Sequence, residues 1–307
     1  MHIKYFKTAF IGMVFLGAFS AVLTSCSSDD NESESTEQPT DGRKLRQLTI
    51  TDVPITRAML TDNTTSLGAT WSAGDKATYF NLSSYNSTVM HFGTLISSKE
   101  ATESTFTGTV QCTHGEKIAL FYPATDPFTS GSDRGTFAIN LSGQKGTLED
   151  VANNYHYIYG VGVITSVTDN TANATIASMK SLLAVCKFTF KDNTDVGIPV
   201  KELTIGYGNY KYPLSGTVKP SYNASSVVAN PAAANTWNPL TVTLANEKVD
   251  GVVYVALFPC GNESREEFHF TVTGSAGTYT GTATAKLNAG KFYPVTLNLT
   301  KQIIKNQ

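Results

Sequence analysis

Apolar and polar side chains alternate along this chain with a period of two, in one short segment after another. Phe137-Ala138-Ile139-Asn140-Leu141 is large and apolar at its odd positions, and Leu240-Thr241-Val242-Thr243-Leu244 at its even ones. Phe268–Thr273 and Tyr293–Leu299 repeat the pattern. Successive side chains of a strand point to opposite faces, so each segment buries one face and wets the other. Ile118–Tyr122 and Val252–Phe258 are apolar throughout and suit central strands covered on both faces. Gly, Asn and Pro punctuate the gaps, at the spacing of a β-sandwich. With 41% apolar, 10% aromatic and 16% charged residues, the chain is too apolar for disorder and too lightly charged for a long helical protein. The one helical spacing is Ala174–Leu183, where Ile176, Met179, Leu182 and Leu183 fall near one face, and it predicts a helical turn feeding the strand Val185–Lys191.

The N-terminal segment reads as an address. Lys4 and Lys7 precede an uncharged apolar run, Thr8–Val22, shorter than the roughly 20 residues a spanning helix needs. Leu23-Thr24-Ser25-Cys26 then has the form of a bacterial lipobox, which implies lipidation of Cys26 and cleavage before it. The mature chain would be held to a membrane by acyl chains, palmitate among them. Ser27–Gly42 carries six acids and no base. It reads as a disordered acidic tether, with the form of a surface-export signal. The expected layout is therefore a signal peptide at 1–25, a tether at 26–46, an N-terminal sandwich at 47–173 and a C-terminal sandwich at 174–307. Two echoes support two related halves: Ala119–Pro123 with Ala256–Pro259, and Phe137–Gly143 with Phe268–Gly274.

Motifs of catalysis are missing. No nucleophile elbow, zinc-protease helix, phosphate loop or dinucleotide fingerprint occurs. Glu202, Glu266 and Glu267 read as solvated charge, and Asp75 as a turn former. Cys112, Cys186 and Cys260 are widely separated and the histidines scattered, so neither a metal nor any other cofactor is expected. A formal net charge of −2 argues against a nucleic-acid partner.

Several segments, taken in order, resemble the fimbrillins and their fimbrillin-like relatives. They are Cys26, Thr56-Arg57-Ala58, Trp71–Lys76, Phe106–Thr109, Ala119–Pro123, Leu183–Val185, Tyr254–Pro259 and Ala289–Val295. The resemblance implies an all-β protein of two tandem Greek-key, transthyretin-like β-sandwiches without catalysis. It also implies assembly of fimbriae at the cell surface by protease-triggered strand exchange. A trypsin-like cut after Arg57, before Ala58, would release a first strand spanning 47–57; Arg46 is the second choice, but a cut there leaves Leu48–Val53 attached. The segment Leu48–Val53, with Leu48, Ile50 and Val53 as its apolar residues, alternates like an edge strand, and Val295, Leu297 and Leu299 are the corresponding donor candidates near the C-terminus. The residues after Leu299 offer only Ile303 and Ile304 for filling a groove, which favours a tip or accessory subunit over a stalk subunit. The partners implied are other fimbrial subunits, the outer membrane through the lipid on Cys26, and a host or bacterial surface ligand. The competing reading is a surface glycan-binding lipoprotein that never polymerises, using tyrosines with Trp71 and Trp237 as a stacking platform.

Overall fold

The computed structural model describes residues 43–54, 59–85, 89–207, 211–260 and 266–303. The signal sequence, Cys26 and the acidic tether as far as residue 42 lie outside the described residues, as do Arg57 and Ala58.

In chain order the first ten strands are β1 (Lys44–Pro54), β2 (Met59–Asp62), β3 (Leu67–Thr70), β4 (Lys76–Asn81), β5 (Phe92–Ser97), β6 (Glu103–Cys112), β7 (Lys117–Tyr122), β8 (Phe137–Asn140), β9 (Ile158–Val167) and β10 (Thr171–Ser181). Seven of them close on themselves in the order β1-β10-β9-β7-β4-β5-β6. The alternation explains this barrel: Leu48, Ile50, Leu95, Phe106, Ile118, Leu120, Ile164 and Ile176 all turn inward into one core. The apolar run of β7 is central, between β4 and β9.

The second half contributes β11 (Ala184–Lys191), β12 (Val200–Tyr207), β13 (Ser215–Val218), β14 (Ala229–Pro231), β15 (Leu240–Lys248), β16 (Val252–Leu257), β17 (Glu266–Gly274), β18 (Gly277–Ala285), β19 (Phe292–Asn298) and β20 (Thr300–Lys301). They form a three-stranded sheet β16-β11-β19 and a five-stranded sheet β15-β12-β17-β18-β20. Phe188 and Phe190 of the first sheet meet Phe270 of the second across the core, at ring-centroid distances of 5.2 and 6.1 Å. β8 leaves the barrel half and pairs with β13, making a third sheet, β14-β13-β8. A second apolar core therefore runs from Phe80, Phe121 and Phe137 on the outside of the barrel into the C-terminal sheets without a break. Residues 41–307 cluster into one compact unit.

Several expectations need correcting. The segment 174–183 is not a helical turn: most of it belongs to β10, which pairs antiparallel with β9. Ala172, Ala174 and Ile176 point inward in alternation, and a register irregularity between Ile176 and Met179 then shifts the phase by one residue. That shift is what mimics a helical i, i+3 spacing. The strand also needs a close approach to β9, where a Cβ on Gly162 would lie 2.1 Å from the Thr175 carbonyl oxygen. The expected boundary at 173/174 falls inside β10, so the barrel half continues through Ser181. The apparent internal echo of Phe137–Gly143 and Phe268–Gly274 does not mark equivalent strands. β8 pairs with β13 alone, whereas β17 lies between β12 and β18.

Val252–Phe258 is apolar because both of its faces are largely covered, but it is not the central strand expected. β16 ends its sheet, and a side chain covers its outer edge: Gln144 donates to the Ala256 carbonyl at 3.0 Å and accepts from the Ala256 N–H at 2.8 Å. The amide thus imitates a neighbouring strand and blunts the edge. Cys112, Cys186 and Cys260 are free thiols, the first two buried as small apolar groups.

Candidate functional site

β1 is the strand that seals the barrel. It pairs antiparallel with β6 from Lys44↔Cys112 to Pro54↔Glu103, and parallel with β10 from Gln47↔Thr171 to Ile50↔Ala174. It is therefore not the edge strand expected from its alternation; between residues 47 and 50 both of its backbone sides are occupied. Leu48, Ile50 and Val53 are each 0% exposed. Burial of three such side chains contributes roughly 1.5–3 kcal/mol apiece. A register shift between Ile50 and Val53, with Asp52 at φ 51°, brings Val53 back to the inner face. Asp is among the few residues that tolerate this left-handed backbone. The Val53 carbonyl accepts the indole N–H of buried Trp71 at 3.0 Å, and Trp71 packs edge-on against Phe106 and Tyr122. The following turn is built as expected of Asp75, whose carboxylate accepts the Ser72 N–H at 2.7 Å.

The other end of β1 is polar, and sequence reasoning missed it. Arg46 occupies an inward position in phase with Leu48 and Ile50 and is 7% exposed. Its guanidinium donates to the Thr168 carbonyl at 2.7 Å, to the Lys44 carbonyl at 3.3 Å and to the Cys112 carbonyl. Just before the strand, Arg43 forms an ion pair with buried Glu116. Glu116 is held in place by the Asn81 side-chain amide at 2.7 Å and the Thr113 N–H at 2.8 Å. Lys44 pairs with exposed Asp169 at 2.9 Å, and its hydrogen bond holds that carboxyl below the usual range. As a candidate cleavage site Arg46 is thus enclosed in the folded barrel.

The β2–β3 hairpin that follows residue 58 is fastened to the C-terminal half. Asp62 of β2 accepts from Lys187 Nζ at 2.5 Å and from Tyr254 Oη at 2.6 Å. Burial tends to raise its pKa, but these hydrogen bonds outweigh it and leave Asp62 below the ordinary value. The segment 55–58 therefore joins a strand in the barrel core to a hairpin tied elsewhere.

The C-terminal donor candidates lie in or beside β19. This strand pairs in parallel with β11 from Val185↔Phe292 to Lys191↔Asn298 and ends its sheet. Leu297 and Leu299 are buried and Val295 half-buried. An apolar pocket of about 40 Å³ lies between β19 and the opposite sheet, lined by Phe188, Phe268, Phe270 and Val295 among others. A cleft of about 520 Å³ runs over β14-β13-β8, bordered by Phe128, Asp133, Asn140 and Asn230. Trp71 is buried and takes no part in any stacking platform, while Trp237 packs on Tyr207 at 5.3 Å. Among the described residues no three His, Cys, Asp or Glu side chains are grouped to hold a metal ion, and no helix is long and apolar enough to cross a membrane.

No protein-family model and no curated protein matches the sequence. Solved structures do match. A Bacteroides uniformis protein provisionally assigned to cell adhesion is 15% identical, covers 85% of this chain and 94% of its own, and superposes with a TM-score of 0.51. A similarly assigned Bacteroides fragilis protein is 9% identical, with 85% and 94% covered and a TM-score of 0.47. The tip fimbrial protein Mfa3 of Porphyromonas gingivalis, truncated at its C-terminus, is 9% identical, with 85% and 96% covered and a TM-score of 0.39. The first likeness establishes that this chain shares the all-β fold of its neighbour nearly end to end.

Proposed function

We propose that this chain is a non-enzymatic, surface-exposed fimbrial subunit acting in cell adhesion, held at first to the outer membrane by a lipid on Cys26. Cleavage after Arg57 lets β1 leave, and a strand from another subunit takes its place. In this reading the barrel and the C-terminal sheets are the two transthyretin-like halves of a pilin.

The observation that carries the proposal is the division of the apolar interior. β1 supplies Leu48, Ile50 and Val53 to the barrel core only. The second core, which joins the halves, contains none of its residues. Departure of β1 therefore opens one core and leaves the other to hold the chain together. It also exposes unpaired N–H and C=O groups along β6 and β10, a template for strand addition. Keeping β1 in place until export protects that template from aggregation. The fimbrial and adhesion neighbours favour the same reading.

Brief digestion of the purified protein with trypsin tests the release step. The expected result is one early cut after Arg57 and a stable remainder beginning at Ala58, with β1 recovered as a peptide under mild urea. Early cuts within the barrel strands, or a β1 that stays bound until the whole chain unfolds, would refute it.

The glycan-binding alternative rests on the cleft over β14-β13-β8, where the side chains of Asn140 and Asn230 lie in a groove with exposed Phe128. In that case Phe128→Ala would abolish saturable binding to a polysaccharide, and β1 would stay in the mature protein.

A further inference from the structure

The space that β1 fills is not uniformly apolar, and this restricts what can replace it. Three inward positions, Leu48, Ile50 and Val53, enter the apolar core. The fourth, Arg46, enters a polar cup at the barrel rim formed by the carbonyls of Thr168 and Cys112. Beyond it stands the Glu116 carboxylate, fixed by Asn81 and Thr113 and paired with Arg43. When β1 leaves, these acceptors remain, turned toward the vacated path. An apolar side chain in the cup would bury carbonyls whose hydrogen bonds it cannot replace, and a carboxylate would meet the same oxygens without a donor. Both are penalised.

From this we infer that the groove selects a donor strand with a cation at one defined position. The sequence is Arg at position p, apolar residues at p+2, p+4 and p+7, and a second basic residue at p−3, running antiparallel to β6. The inference rests on the strand-exchange reading above and names the partner that reading leaves open. Arg suits the cup better than Lys, because its planar fork reaches two carbonyls that a single ammonium cannot satisfy in the same geometry. This chain's own segment from Lys301 begins in the same way, with Ile303 two residues on, but it would place Lys305 where Ile50 sits. A charge in that fully buried position is penalised, so in this register the segment 301–307 does not fit, and the occupant is a strand of another subunit that carries the arginine.

The test uses the full chain with residues 55–58 replaced by the recognition site of a specific protease, so that it does not depend on processing at Arg57. After cleavage, labelled peptides spanning residues 43–54 compete with the seated β1 in mild urea. The peptide of natural sequence is expected to exchange in. Arg46→Lys should weaken it, and Arg46→Leu should weaken it further, by roughly tenfold to a hundredfold. Arg43→Ala should also weaken binding, and Glu116→Gln in the protein should remove most of that difference, since the isosteric amide keeps the shape of the site without its charge. Equal binding of the natural peptide and its Arg46→Leu variant would overturn the inference while leaving strand exchange standing. Failure of even the natural peptide to exchange would overturn the strand-exchange reading on which it rests.

Discussion

Ile50→Asp is expected to destabilise the uncleaved protein by about 4 kcal/mol or more, and to leave the cleaved, β1-free form unchanged. The side chain is fully buried in the barrel core, opposite Phe106 on β6 and Ala174 on β10. The substitution removes the transfer energy of an isoleucine and puts a carboxylate where no cation stands. Losses of this size fall in the small class tied to a buried unpaired charge. Calorimetry of both forms reads the result, with a drop in the first melting transition on the order of 10 °C or more for the precursor. If the precursor does not fold, Ile50→Ala gives the same comparison at about 2–5 kcal/mol. An equal loss in both forms would mean that Ile50 supports something other than a removable strand.

Arg57→Gln is expected to keep the subunit out of fibres altogether, while the protein still folds and reaches the surface. In this account the cut after Arg57 is the only event that frees β1. Arg46 does not substitute for it, because its guanidinium is enclosed by the carbonyls of Thr168 and Cys112 and the strand around it is paired on one or both sides. Electrophoresis of sheared surface material, with an antibody to this chain, should show it in the fibre fraction for the natural protein and only in the membrane fraction for the variant. Unchanged incorporation of the variant would show that β1 is released by another route or not at all.

What the sequence discloses follows from what side-chain patterns encode. Alternation in β1, β8, β15 and β17 reports which face is wet, and that suffices for the fold class and for Leu48 and Ile50, whereas Val53 shares their face only through the register shift after Ile50. The number of neighbours a strand has is a property of its backbone, so a closing strand and an edge strand look alike, and β1 reads as an edge. β10 reads as partly helical because two of its inward residues, Ala172 and Ala174, carry little hydrophobic signal, and its irregularity near Met179 imitates a helical period. Arg46 gives no local signal because an arginine normally lies in solvent, and two of its three partners are backbone oxygens 66 and 122 residues away. The Gln144 amide that covers the edge of β16 is hidden for the same reason: it acts on Ala256, 112 residues distant, through a contact that no local pattern announces.

The most direct measurement is the N-terminal residue of this chain taken from sheared surface fibres, by mass spectrometry of the intact subunit. The expected subunit starts at Ala58 and has lost β1. A subunit that starts at lipidated Cys26 within the fibre, with Leu48, Ile50 and Val53 still attached, would contradict it.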